Sequence, residues 1–242
     1  MKLEHSIFTY AGERGENEDS ALIIERRGIT AFLVADGLGG HGGGAAASKE
    51  AVNYIAELIN DDSVLSEDLI NECFTGAQER IMAIQQDQGC DGMKTTLTIL
   101  LTDGCTAIWA HVGDSRLYHF RGRRIISRTV DHSIAQTLVS IGDISEVDLK
   151  TSPDRNHLTR VLGTEWDEPK HVLDKKGYRL RRKDIFLICT DGLWERMDEK
   201  QAAVMLRDDS LDETLKKLCT QAVELETEKR RDDITAIAVR VV

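Results

Sequence analysis

The chain has 242 residues, two prolines, a hydrophobic fraction of 41% and a net charge of −11, which fits one domain over residues 1–242 with a sizeable core. That charge argues against a nucleic-acid backbone and for cations or basic partners, and no apolar run approaches the roughly 18 residues of a membrane span. Five widely spaced cysteines without a CxxC pair, behind an opening stretch with no signal-peptide pattern, point to reduced thiols in a cytoplasmic protein.

From the N-terminus, Ile7 to Tyr10 predicts a strand and Gly12 to Asp19 a polar loop carrying Arg14, Glu18 and Asp19. Ala21 to Ile24 predicts a second strand, and Arg26-Arg27-Gly28 a turn that closes a hairpin onto a third. In the third strand Ala31 to Ala35 are all apolar, as in a strand covered on both faces, and Asp36 ends the run. An ionised carboxylate at the mouth of a core strand needs a partner, hydrogen bonds or a metal, so Asp36 asks for a cation. Six glycines between Gly37 and Gly44 then allow close backbone approach to a ligand, with His41 among them.

Ala51, Ile55, Leu58 and Ile59 recur at helical spacing, as do Leu69, Cys73, Phe74, Ala77, Ile81 and Ile84. The break Asp61-Asp62-Ser63 separates two amphipathic helices, each with one apolar stripe suited to lying on a sheet. Thr95 to Leu101, Ala107 to Val112 and Arg116 to Phe120 predict strands in successive hairpins, with Asp114 after Gly113 between the last two. From Asp131 to Gly163 the pattern loosens. Ile134, Leu138 and Val139 predict a short helix, and the excursion over 141–163 reads either as a substrate-facing flap or as a surface insertion.

Leu180 closes a further short strand. Ile185 to Thr190 is a second wholly apolar strand, and it too ends in Asp-Gly, at Asp191-Gly192. Met197 to Leu206 predicts a short helix, Leu211 to Leu225 a long one, and Ile234 to Val239 a last buried strand preceded by Asp232-Asp233. Antiparallel pairing of that strand would bring Asp36, Asp191 and Asp232 to one rim of one sheet. Carboxylates so close need a counter-charge, since like charges about 4 Å apart repel by roughly 4 kcal/mol at an effective dielectric near 20. Oxygen ligands favour Mg²⁺, Mn²⁺ or Ca²⁺ over zinc or copper. Acids on separate strands suit two ions bridged by one Asp, a pair that generates hydroxide and clamps a phosphoryl group.

Arg14-x-x-Asn17-Glu18-Asp19, Val34-Ala35-Asp36-Gly37-x-Gly39-Gly40-His41, Val112-Gly113-Asp114-Ser115-Arg116, Asp131-His132-Ser133, Leu158-Thr159-Arg160-x-Leu162-Gly163, Thr190-Asp191-Gly192-Leu193 and Asp232-Asp233-Ile234-Thr235 follow one another in this order. The series resembles the PPM-type metal-dependent serine/threonine protein phosphatases, especially their compact bacterial members, over essentially the whole chain. The resemblance implies an α+β fold, an αββα sandwich of two antiparallel sheets flanked by helices. It implies two tight Mn²⁺ or Mg²⁺ ions, with Asp36 bridging, the Gly37 carbonyl on one ion, Asp191 and Asp232 on the other, and Glu18 and Asp19 acting through waters. Asp114, with Asp191, corresponds to the site of a weaker third ion. Arg14 would hold the substrate phosphate and His41 would act as general acid. Phosphoprotein substrates and an opposing serine/threonine kinase are implied as partners of a monomeric enzyme bound to neither nucleic acid nor membrane.

Four positions depart from the pattern: Asp233 stands where the family usually has Asn, Lys94 replaces a common Gly, and Ala45 and Ala46 occupy a part of the glycine loop that often carries an acid. Two other functions are compatible with parts of the chain. Gly37-x-Gly39-x-x-Gly42 matches a dinucleotide fingerprint, but Asp36 would face the pyrophosphate and no second strand with a ribose-binding acid follows. A non-catalytic binding module of the same fold would have no use for the intact metal-ligand positions. Cys189, within an apolar strand, is expected to be core and not a nucleophile.

Overall fold

The structure is a computed structural model that describes all residues except 14, 40–42, 89–91, 169, 175–176, 208–209 and 226–231. The described residues form strands β1 (Leu3–Tyr10), β2 (Asp19–Arg26) and β3 (Ile29–Leu38), then helices α1 (Gly43–Leu58) and α2 (Glu67–Gln88). Strands β4 (Lys94–Thr95), β5 (Leu97–Thr102), β6 (Thr106–Val112), β7 (Arg116–Arg121) and β8 (Arg124–Arg128) follow, then helix α3 (Ile134–Ile141). The remainder holds β9 (Val172–Leu173), β10 (Tyr178–Arg179), β11 (Asp184–Cys189), α4 (Asp191–Trp194), α5 (Glu199–Met205), α6 (Leu211–Leu225) and β12 (Ile234–Val241).

Two antiparallel sheets result, one ordered β1-β12-β11-β7-β8 and the other β10-β6-β5-β3-β2, with β4 beside β3 and β9 beside β6. The wholly apolar strands explain the layering. Alternate side chains of a strand leave opposite faces, so Phe32 and Val34 of β3 meet Phe186 and Ile188 of β11 and Ile237 and Val239 of β12 between the sheets. The other parity of β3, Ala31, Leu33 and Ala35, packs with Ala47 and Ile55 of α1 and Phe74 and Ile81 of α2. Ile185, Leu187, Ala236 and Ala238 do the same with Leu211, Leu215 and Leu218 of α6. A strand can be apolar throughout only where both faces are covered, and the outcome is the αββα sandwich.

Three expectations are corrected. Asp36 stands in one sheet and Asp191 and Asp232 at the end of the other, so the acids meet across the mouth between two sheets and not on the rim of one. The strands β6 and β7 do not form a hairpin: the chain changes sheets at Gly113-Asp114-Ser115. The run Thr95 to Leu101 is broken at Thr96, because its N–H and hydroxyl are both used on the backbone of Asp36. Strand β8, polar at both ends and largely exposed, carries no apolar alternation to announce it, as befits a charged edge.

Candidate active site

At the mouth of the sandwich, Asp19 opens β2 directly opposite Asp36 of β3. The Asp36 carbonyl accepts from the Thr96 N–H at 2.8 Å and the Thr95 hydroxyl at 2.9 Å, while its N–H donates to Thr96 Oγ1 at 2.9 Å. Three hydrogen bonds thus hold the backbone of the residue expected to bridge two ions. The next residue, Gly37, donates to the Glu18 carbonyl at 3.0 Å. A Cβ on Gly37 would run into the carbonyls of Gly44 and Glu18, so only glycine permits this approach. A Cβ on Gly44 would stand 2.7 Å from Glu18 Oε1 and 2.8 Å from the Gly37 carbonyl oxygen, which puts these two candidate ligands around one point.

The loop that changes sheets presents Asp114. Gly113 has φ +100°, and a side chain there would strike Thr96. Its N–H donates to His132 Nδ1 at 3.1 Å and its carbonyl accepts the His132 N–H at 3.0 Å. Trp194 Nε1 donates to the Asp114 carbonyl at 3.0 Å. Behind it, Arg116 lies 3.5 Å over the Trp194 ring and forks onto Asp131 at 2.8 and 2.6 Å, with both members of the pair about 1% exposed. Because Gly113 N–H occupies Nδ1, the neutral His132 ring carries its proton on Nε2. Burial and the neighbouring His111 and Arg160 depress its pKa to about 3.

Asp191 follows β11, and Asp232 and Asp233 precede β12. Between those strands Thr190 Oγ1 donates to Asp19 Oδ2 at 2.9 Å and accepts the Thr235 N–H at 3.1 Å. Asp233 is not turned outward. Buried to 4% exposure, it accepts the Gly12 N–H on one oxygen at 2.8 Å and the Glu18 N–H on the other at 2.7 Å. It therefore pins both ends of the loop that carries position 14.

Electrostatically the acids form one group. Burial pushes Asp36 well above the usual carboxylate range, and Asp19, Asp191, Asp114 and Asp232 push it further. Asp19 is raised by burial and by Asp191 and Asp233, against hydroxyl donation from Thr235 and Thr190. Asp114 is raised by burial, Asp191 and Asp131, with Arg116 opposing. The structure thus brings Asp19, Asp36, Asp114, Asp191 and Asp232 within one another's field, with Glu18 and the Gly37 carbonyl alongside. Among the described residues no three His, Cys, Asp or Glu side chains close around a point as a ready cage. A set of buried hard oxygen donors within one another's field fits a cation such as Mg²⁺ or Mn²⁺. Arg14 and His41 lie outside the described residues. Cys189 is buried, and burial lifts its thiol well above the ordinary value, so it is core.

The protein phosphatase 2C family model matches residues 13–230. The chain belongs to the protein phosphatase 2C family. It is a bacterial PPM-type protein serine/threonine phosphatase, in keeping with its relatives. Protein phosphatase PhpP of Streptococcus pneumoniae is 31% identical over 197 residues, 79% of each chain. The S. agalactiae serine/threonine phosphatase structure superposes with a TM-score of 0.87 at 28% identity over 100% of both chains. The catalytic domain of the phosphatase PstP in complex with two manganese ions gives 0.83 at 27% identity over 98% of this chain and 97% of that one.

The phosphatase also uses residues that the sequence reading left without a role. Thr95, Thr96, Ser115, Thr190 and Thr235 join the rim through hydroxyl hydrogen bonds: Thr96 Oγ1 meets Ser115 Oγ at 2.8 Å, and Thr98 donates to the Ser115 carbonyl at 2.9 Å. Their signal was available as hydroxyl residues at the ends of otherwise apolar strands. The excursion after β8 is rooted at the same rim by Thr159 N–H to the His132 carbonyl at 2.8 Å and Leu162 N–H to the Thr95 carbonyl at 2.9 Å.

Proposed function

We propose that residues 1–242 act as one monomeric, cytoplasmic catalytic domain that hydrolyses phosphoserine and phosphothreonine in proteins with two Mn²⁺ or Mg²⁺ ions, opposing a serine/threonine kinase. The observation that carries the metal reading is the gathering of buried carboxylates at the mouth, where Asp19 stands opposite Asp36 and Asp191 raises Asp19, Asp36 and Asp114 alike beyond the effect of burial, because such a group keeps its charge only beside a cation. Asp36, the Gly37 carbonyl, Asp191 and Asp232 would hold the pair, Glu18 and Asp19 would act through waters, and Asp114 with Asp191 would hold a weaker third ion. When bound there, such ions would supply a water of lowered pKa and charge stabilisation at the phosphoryl oxygens. Arg14 forks onto two phosphate oxygens, its loop held by Asp233. His41 gives its proton to the departing seryl or threonyl oxygen. The segment 141–163 faces the substrate as a flap.

Replacing Asp36 by Asn is expected to abolish hydrolysis of an aryl phosphate and of phosphoserine and phosphothreonine peptides with the fold retained, and chelation to do so reversibly. Manganese-dependent turnover at the wild-type rate in Asp36→Asn would overturn the binuclear reading. Asp114→Ala is expected to leave two tight ions in a calorimetric titration; loss of both would reassign Asp114 to the core pair.

A further inference from the structure

The end of the five-stranded sheet remote from the carboxylates gathers positive charge. Strand β7 ends at Arg121 opposite Asp184, the first residue of β11, and the β7–β8 turn adds Arg123 and Arg124. Two cations there are neutralised: Arg121 forks onto Asp184 at 2.7 and 2.7 Å, and Arg240 meets Glu4 at 3.3 Å. Six others, Arg123, Arg124, Arg181, Arg182, Lys183 and Arg207, are exposed, and their side chains join no ion pair among the described residues.

These charges are contiguous. Arg182, Lys183 and Arg207 line one cleft of about 240 Å³ with Arg240. Arg207 Nη1 lies 3.6 Å from the position of a Cβ on Gly122, so it reaches the β7–β8 turn. Asp208 and Asp209, which follow it in sequence, lie outside the described residues. Lys183 has φ +72°, a left-handed conformation that glycine or asparagine adopts at less cost. A turn that needed only solvation would be served by polar residues of either sign; this end gathers six exposed cations around the one paired Asp184 in a chain of net charge −11 and places a lysine where the backbone disfavours it.

We propose that this end of the sheet is a docking surface for an acidic segment of a protein partner, a run of Asp, Glu or phosphorylated residues. A short acidic peptide sets its charge only on the patch. A nucleic-acid duplex, with one charge per roughly 1.7 Å, or an anionic lipid surface would extend past it onto the acidic remainder of the molecule. Strands β11 and β12 have six and eight residues, so at about 3.3 Å per residue the patch lies roughly 20–26 Å from the carboxylate end. A partner held here can also reach the phosphatase site, but the docking does not depend on the metal reading.

The probe is a fluorescein-labelled octaglutamate peptide, titrated by anisotropy with the intact chain. Binding is expected at low salt and is expected to fall steeply on raising salt from about 50 to about 300 mM, as the Debye length shortens. The triple substitution Arg123→Glu, Arg182→Glu, Arg207→Glu should weaken it at least about tenfold, from the sum of several exposed pairs, with aryl phosphate hydrolysis unchanged. The neutral triple to Gln serves if the reversal impairs folding. Binding that is the same in the folded variants and wild type overturns the proposal. So does tighter binding of a DNA duplex or of phosphatidylserine vesicles than of the peptide.

Discussion

Asp233 shows how one side chain can hold a loop by both of its oxygens. Both its oxygens accept backbone amides, from Gly12 and Glu18, and the amide of an Asn has only one acceptor. Asp233→Asn is expected to cost about 1–3 kcal/mol, the penalty for a buried unpaired N–H, and to raise KM for a phosphopeptide more than it lowers kcat, since the loop it holds carries Arg14. A denaturation curve and a KM-against-kcat comparison check both; unchanged values would mean that one carbonyl suffices. For His41, the leaving group supplies the test. Replacement by Ala should slow phosphoserine peptides by about 10²–10⁴-fold, the usual range for general-acid catalysis, and nitrophenyl phosphate much less, because a phenolate leaves without a proton. Equal losses on both substrates would assign His41 a structural role.

Among the elements, the passage from β6 to β7 carries the most consequence. It moves the chain from one sheet to the other in three residues and sets Asp114 at the mouth. Gly113 makes it possible through φ +100° and through its lack of a side chain beside Thr96. Gly113→Ala faces two costs, roughly 1–2 kcal/mol for a left-handed non-glycine residue and the displacement of Thr96, which also holds Asp36. The expected outcome is a loss of at least about 2 kcal/mol in stability together with weaker metal binding, read by denaturation and calorimetry. A variant that lost stability but bound metal normally would show that the strand crossing and the Asp36 clamp are independent. Below the loop, the Arg116–Asp131 pair and Trp194 form a buried support.

On the scale of the whole molecule, charge is divided between the two ends of the sandwich, with carboxylates at one and exposed cations at the other. The carboxylate end makes stability depend on pH in a definite direction. Asp19, Asp36 and Asp114 have folded pKa values above the unfolded value of about 3.9, so their contribution is full below that value and is lost as pH rises through the folded pKa. His111, His119 and His132 are shifted down, chiefly by burial. They remove stability as pH falls below their unfolded value near 6.5. The histidine contributions are common to metal-loaded and chelated protein, and the difference between the two isolates the acids. The rise in Tm on adding Mn²⁺ should therefore be larger at pH 8 than at pH 5. A rise independent of pH would place the ions elsewhere. Among the described residues no helix is long and apolar enough to cross a membrane.

Much was determined by local pattern. Strands with unbroken apolar runs ending at Asp36 and Asp191 required cover on both faces, and helices with single stripes supplied half of that cover; period and polarity are properties of neighbouring residues and are readable along the chain. The acids themselves stood out because a charge ending a core strand is costly without a partner. What only the tertiary structure decided was the sharing of those acids between two sheets, the sheet change at Gly113, and the use of Thr96, Thr190 and Asp233 as clamps. Hairpin pairing and sheet crossing begin from similar Gly-Asp-Ser signals. Whether a hydroxyl or carboxylate serves a ligand or a backbone amide depends on which distant strand arrives beside it, and that is set by packing across the sandwich.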